Sequence, residues 1–396
     1  MKLPVYLDFA ATTPVDPAVA AAMCDCLSSD AALGNPHSPH ASGRAAQALV
    51  EQARAQVAGL IKAAPDEIVW TSGATESNNL AVIGAARFRA DVGRHLVTSS
   101  IEHPAVLECF RYLETQGFEV TYVPADARGR VAPDSVAAAL RADTTLVSVM
   151  HVNNETGVIQ DVAEIGQRCR EQGALFHVDA AQSAGRLPLD VEAMAIDLLS
   201  LSAQKTYGPK GVGALYLSRT RVGRVQPLFH GGGQERGLRP GTVPTHQVVG
   251  MGFAFELAAR RLDADVRHAT ELRDRLWAGV GTLPGVLLNG HPEQRVCHIL
   301  SVSVTGVEGE SLHFALRDLA VSAGSACATP VAGPAAADPS AVLRALGRSD
   351  ELARSTVRFS VGRTTTVEQI DYAIETFRRE VERLRRLAPD SQVALA

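Results

Sequence analysis

The sequence has no run of 18 apolar residues, so no membrane-spanning helix is expected. It also lacks a paired Cys-x-x-Cys and any His-rich cluster. Its six cysteines, at positions 24, 26, 109, 169, 297 and 327, are scattered, which argues against a structural metal or a disulfide framework. Cys24 and Cys26 stand two apart on an expected helix, where side chains do not face each other. Free thiols suit a reducing, cytoplasmic setting. The opening segment Met1–Asp8 has no apolar stretch of signal-peptide length. Positive charge is not in excess: 38 Lys and Arg stand against 43 Asp and Glu, a net charge of -5. That balance argues against a dedicated nucleic-acid or anionic-membrane surface. Arg378, Arg379, Arg383, Arg385 and Arg386 read as the solvated face of a helix, with cations near its C-terminal end. Repeats and low-complexity tails are missing too.

What is present is ordinary for a globular chain, with 46% apolar and 20% charged residues. A length of 396 residues exceeds what one core usually supports, so two domains are expected. Between residues 60 and 220, short apolar runs alternate with helical patterns. The expected strands are 68–70, 96–98, 120–123, 146–150, 175–178 and 198–201. Helix-like stretches fall at 105–116, 134–141 and 161–172. Continuous apolar strands alternating with helices indicate an α/β unit with a mostly parallel sheet. After a helical stretch at 246–262 the rhythm changes. Strands are expected at 298–304 and 356–361 and a helix at 309–318. Ile370, Ile374, Phe377, Val381 and Leu384 form the stripe of a docking helix. We therefore expect a large domain over 14–260 and a smaller α+β domain from 1–13 and 261–396.

Three stretches carry chemistry. Thr71-Ser72-Gly73-Ala74-Thr75-Glu76-Ser77-Asn78 follows a strand and opens a helix, an arrangement able to take a phosphate on unpaired N–H groups. A plain N-cap turn would look similar. His177-Val178-Asp179-Ala180-Ala181-Gln182 puts a carboxylate at the end of a buried strand, where α/β sheets bind ligands. Ser200-Leu201-Ser202-Ala203-Gln204-Lys205 puts an amine at the same edge. A pyridoxal-phosphate site needs this pair, the lysine to hold the aldehyde and the acid to keep the pyridine nitrogen protonated. A structural ion pair between strand ends is the competing reading. His103, before Pro104, reads either as a ring over a cofactor or as a helix-start residue.

At this point the chain resembles the cysteine desulfurases, class V aminotransferases of the pyridoxal-phosphate fold type I, most closely the iron–sulfur-cluster-assembly branch. The resemblance runs from Tyr6-Leu7-Asp8 through Gly34-Asn35-Pro36, the 71–79 turn, Met150-His151-Val152-Asn153-Asn154-Glu155 and 177–183. It continues through Tyr207-Gly208-Pro209-Lys210-Gly211, Gly231-Gly232-Gly233-Gln234-Glu235-Arg236-Gly237 and Arg239-Pro240-Gly241-Thr242. Glu308-Gly309-Glu310-Ser311, Ser325-Ala326-Cys327 and Arg358-Phe359-Ser360 complete it. It implies that Lys205 holds pyridoxal 5'-phosphate, Asp179 pairs with the ring nitrogen, Gln182 with the ring oxygen, and His103 stacks on the ring. Ala74, Thr75, Ser202 and Gln204 would cradle the phosphate, with Thr242 reaching across from the second subunit of a homodimer. Asn154 and Arg358 would bind the substrate carboxylate, for which a planar guanidinium is suited. Cys327, among Gly, Ser, Ala and Pro on an expected accessible loop, would be the nucleophile that takes sulfur from L-cysteine and passes it to an acceptor protein.

The sequence departs from the family pattern in three places. Gln204 replaces the usual His before the lysine. The stretch after Cys327, with the run Ala335-Ala336-Ala337, is about five residues longer than in close relatives. The chain stops soon after Leu387-Ala388-Pro389, without the usual longer tail, so an acceptor other than the cluster scaffold is expected. Two other readings stand beside this one: a selenocysteine lyase or other C–S lyase, and a catalytically idle dimeric scaffold.

Overall fold

The computed structural model describes residues 2–323 and 339–387. The alternating segments build a seven-stranded sheet. In spatial order its strands are Ile68–Thr71, Gly213–Leu217, Leu198–Ser202, Leu175–Asp179, Thr144–Ser148, His95–Ser99 and Glu119–Val123. Gly213–Leu217 runs antiparallel to both neighbours, and the remaining pairs are parallel. Successive residues of each strand feed opposite faces. Val97, Val147, Phe176 and Leu199 enter one core, whereas Leu96, Leu146, Leu175 and Leu198 enter the other. Burying each such side chain contributes about 1.5–3 kcal/mol, which fixes the register, because a slip by one residue would exchange the two faces.

A second, four-stranded sheet is wholly antiparallel, in the order Ser322–Ala323, Thr356–Ser360, Ile299–Val304 and Val286–Leu288. The helix Val367–Leu387 covers it with Ile370, Phe377 and Val381, while Ile374 and Leu384 are half-buried against the same core. Phe377 meets Phe359 edge-on, with ring centroids 5.7 Å apart.

Two expectations need correction, and one strand was missed. The strand expected over 146–150 spans Thr144–Ser148, because Met150 N–H turns away to the Glu102 carboxyl group at 2.9 Å. The helix expected over 246–262 runs on as Thr245–Val280. Its charged middle hid a continuing apolar stripe of Ala269, Leu272, Leu276 and Val280, and Arg261 pairs with Asp265 one turn on. Its first half packs Val248, Met251 and Phe255 into the core of the large sheet, and its second half packs into the core of the small one. The strand Gly213–Leu217 was not foreseen at all. It is short and begins on a glycine, which the structure needs: a Cβ at Gly213 would lie 2.5 Å from the Leu201 carbonyl oxygen and 2.6 Å from Gly73 Cα.

Candidate active site

The strand Ile68–Thr71 delivers Ser72 and Gly73 into the helix Ala74–Phe88. Gly73 has φ 153° and ψ 179°, a conformation that essentially only glycine adopts. As the helix N-cap it has no side chain to accept a hydrogen bond from the first-turn N–H groups, so these donors remain to meet an anion. Glu76 folds back to accept Ser72 N–H at 2.7 Å, and its other oxygen pairs with Arg239 at 3.0 Å. The arginine offsets a negative charge that would otherwise oppose an anion there.

Asp179 ends the strand Leu175–Asp179, and Ser202 ends its neighbour Leu198–Ser202, so both emerge at the carboxyl edge of the sheet. Asp179 is buried; Oδ2 accepts from Asn78 Nδ2 at 2.8 Å and Oδ1 from Ala181 N–H at 2.9 Å. Lys205 closes a short 3-10 turn, Ala203–Lys205. Thr13 brackets that turn: its hydroxyl donates to the Gln204 carbonyl at 2.9 Å and accepts Tyr207 N–H at 2.8 Å. Tyr207 sits at φ 60°, a strained setting for a bulky residue, with the guanidinium groups of Arg186 and Arg363 over its ring.

His103 caps the helix Pro104–Thr115, Nδ1 accepting Ala105 N–H at 3.1 Å. In the neutral ring this leaves the hydrogen on Nε2. Burial and then the nearby Lys205 hold its affinity for protons below the ordinary imidazole value, partly opposed by Asp179. The helix-start role and a place at the cavity therefore coincide in one residue. Its neighbour Glu102 is fully buried; one oxygen accepts from Met150 N–H and Ser99 Oγ, and the other has no partner among the described residues. Burial pushes its carboxyl up to about 8, so it is held as the neutral acid near pH 7.

Asn153 and Asn154 do different work. Asn153 Oδ1 accepts Glu155 N–H at 3.0 Å and Thr156 N–H at 2.9 Å, folding the turn, while Asn154 lines the cavity. Arg358 lies behind that wall: Nη1 donates to the Asn154 carbonyl at 2.8 Å and Nη2 pairs with Asp8 at 2.9 Å.

Ala74, Thr75, His103, Asn154, Asp179, Gln182, Ser202, Gln204 and Lys205 meet around one cavity of about 390 Å³. Gln182 also ties the N-terminal segment to it, donating to the Ala10 carbonyl at 2.8 Å. Thr242 is exposed and borders a separate cavity beside Gly34, Asn35 and Pro36. Cys327 lies outside the described residues. Sequence reasoning passed over Asn78, Glu102, Thr13 and Asp8; Asn78 and Asp8 stood inside quoted motifs, but nothing local signalled their partners. An amine, a buried carboxylate and an uncapped helix end around a cavity of this size can hold a phosphorylated heteroaromatic aldehyde. Among the described residues, no helix is long and apolar enough to cross a membrane.

Comparison with known proteins agrees with this geometry. Residues 5–373 match the aminotransferase class-V family. The cysteine desulfurase IscS of Azotobacter vinelandii is 55% identical over 390 residues, 98% of this chain and 95% of that relative. Among solved structures, a NifS-like protein superposes with a TM-score of 0.88 at 36% identity, covering 97% of this chain and 100% of the other. The structure of SspA in complex with cysteine has a TM-score of 0.79 at 37% identity, covering 91% and 99% of the two chains. The chain belongs to the aminotransferase class-V family, within its cysteine desulfurases.

Proposed function

We propose that this protein is a pyridoxal-5'-phosphate-dependent cysteine desulfurase that converts L-cysteine to L-alanine and carries the sulfur as a persulfide on Cys327 to an acceptor protein. The observation that carries the proposal is the convergence of Lys205, Asp179 and the uncapped start of Ala74–Phe88 on one cavity. The donor set fits the cofactor: Lys205 for the aldehyde, Asp179 for the ring nitrogen, Gln182 for the ring oxygen. Ala74, Thr75, Ser202 and Gln204 serve the phosphate and His103 the ring face. When bound, the cofactor supplies an electron sink for the bond broken at the substrate α-carbon.

The residues then divide the work. Arg358 and Asn154 bind the substrate carboxylate and orient the α-proton toward Lys205, whose amine removes it. Cys327 thiolate attacks the substrate sulfur; the S–S bond forms as the Cβ–S bond breaks, and its electron pair passes to the β-carbon. Protonation there yields alanine, and His103 is suited to move protons through Nε2. None of the five described cysteines lines the cavity. Burial pushes Cys109 and Cys169 up to about 12 and raises Cys26 and Cys297, which makes them poor nucleophiles. This supports Cys327 for the role.

The proposal extends to a cytoplasmic homodimer in which Thr242 of each copy completes the phosphate site of the other. It also divides the chain into a large domain, 14–260, and a small domain from 1–13 and 261–396. The test is a visible spectrum of the purified protein with and without L-cysteine, beside an alanine assay of wild type, Cys327→Ala and Lys205→Ala. An absorbance band that shifts with cysteine, and alanine formed only when both residues are present, supports the proposal. Undiminished alanine formation by Cys327→Ala would sink the persulfide route.

A further inference from the structure

Arg358 is buried, with 2% of its surface exposed, so its cation has little access to water to offset the cost of desolvation. Among the described residues its ion-pair partner is Asp8, whose Oδ1 accepts Arg358 Nη2 at 2.9 Å. The same oxygen accepts Ser322 Oγ at 2.8 Å. Nη1 is committed to the Asn154 carbonyl at 2.8 Å, and Nε is buried without a partner among the described residues. The guanidinium is thus fixed at two corners by groups from different parts of the chain. Asp8 follows the two-residue strand Val5–Tyr6, which pairs with Leu319–Ala320, and its backbone bridges to Ser360 on the strand that carries Arg358. The backbone bridge sets the Asp8 carboxylate beside Arg358, and Ser322, opposite Arg358 in the sheet register, holds it there.

We propose that Asp8 is a positioning residue for Arg358, setting the guanidinium plane that receives the substrate carboxylate and so setting the affinity for the amino-acid substrate. The inference rests on the reading of Arg358 as the carboxylate site. Arginine recognises a carboxylate through a planar fork, and recognition of that kind is lost when the plane rotates. Asp8 acts through Arg358 and takes no part in bond breaking, so its loss weakens substrate binding and spares turnover at saturation.

The test measures KM and kcat for L-cysteine, by alanine formation, on the cofactor-loaded protein. The variants are Asp8→Ala, Asp8→Asn, Ser322→Ala and Arg358→Gln, with thermal melting to check that each is folded. Asp8→Ala is expected to raise KM about tenfold with kcat within about threefold, from the worth of one charged hydrogen bond. Asp8→Asn recovers part of the loss, because its carbonyl oxygen can still accept from Arg358. Ser322→Ala raises KM by a smaller factor. A KM unchanged or lowered in Asp8→Ala, or a fall confined to kcat, overturns the inference. If Asp8→Ala does not fold, Ser322→Ala decides, and an unchanged KM there overturns it. A raised KM in Arg358→Gln with unchanged KM in Asp8→Ala removes the role of Asp8 alone. An unchanged KM in Arg358→Gln removes the reading of Arg358 and this inference with it.

Discussion

Asn78 Nδ2 donates to Asp179 Oδ2 at 2.8 Å, so the second turn of the helix Ala74–Phe88 holds the carboxylate at the end of the strand Leu175–Asp179. Both side chains are buried. The bond joins the two features on which the candidate site depends, the helix start and the acid. Replacing Asn78 by Leu leaves a buried carboxylate oxygen without this donor. We expect a loss of about 1–3 kcal/mol in stability, read by urea unfolding. Weaker cofactor uptake is expected alongside it, read by a fluorescence titration with pyridoxal 5'-phosphate. A variant as stable as wild type would show the bond to be dispensable.

Glu102 gives a pH dependence of definite sign. Burial raises its folded-state carboxyl from 4.5 to about 8. The unfolded chain therefore releases this proton first, and the folded state binds more protons between pH 4.5 and 8. The contribution of this group is fully present below pH 4.5 and is lost as the pH rises toward 8. Gln has no proton to lose. Glu102→Gln is expected to gain on wild type through that window by up to about 1.4 kcal/mol per pH unit. Chemical unfolding of both proteins at pH 5 and pH 8 checks it; parallel curves would contradict the assignment.

The buried histidines act in the opposite direction. Burial lowers His151 and His177 to about 4 from 6.5. They fold as neutral rings, so stability falls as the pH drops from 6.5 toward 4, where the unfolded chain binds the extra protons. His177 lies between Ser148 at 2.8 Å and Ser200 at 3.0 Å, on the strands flanking its own. His177→Gln, which can keep one of these bonds, is expected to show a shallower loss of melting temperature from pH 6.5 to 5 than wild type. An unchanged slope would count against a neutral His177.

Gly213→Ala tests the packing under the helix start. Its new Cβ would meet the Leu201 carbonyl and Gly73 Cα, both backbone atoms that cannot rotate away. Overpacking of this kind costs about 1–3 kcal/mol. Because Gly73 borders the cavity, cofactor affinity should fall together with stability. Wild-type melting temperature and cofactor affinity in the variant would mean that the sheet and loop can move apart at no cost.

Much of this arrangement was legible in the sequence because it is local. Asp179 and Lys205 stand just beyond apolar strands, and parallel strand ends share an edge, so their meeting followed from pattern alone. Gly73 before a helix was readable for the same reason. Contacts between distant segments were not. Asp8 and Arg358 are 350 positions apart, and Asn78 and Asp179 are 101 apart; no periodicity links either pair. The run of helix beyond residue 262 was hidden differently, because charged residues on the outer face masked apolar ones spaced a turn apart. Gln204 is a case where the sequence raised a question that geometry narrows. Its backbone carbonyl is held by Thr13 and the residue borders the cavity, so Gln204 lies at the candidate site as expected of the residue before the lysine.

The helix Thr245–Val280 has a consequence for how the molecule comes apart. At 1.5 Å per residue its 36 residues span roughly 54 Å. Its two halves are rooted in different cores, and a bare helix half with an apolar stripe has little stability of its own in water. Melting either core would strand one half of the rod in solvent and fray the part still rooted. The rod therefore acts as a mechanical strut that makes the loss of one core costly to the other, and the described chain should unfold in a single concerted step rather than in two.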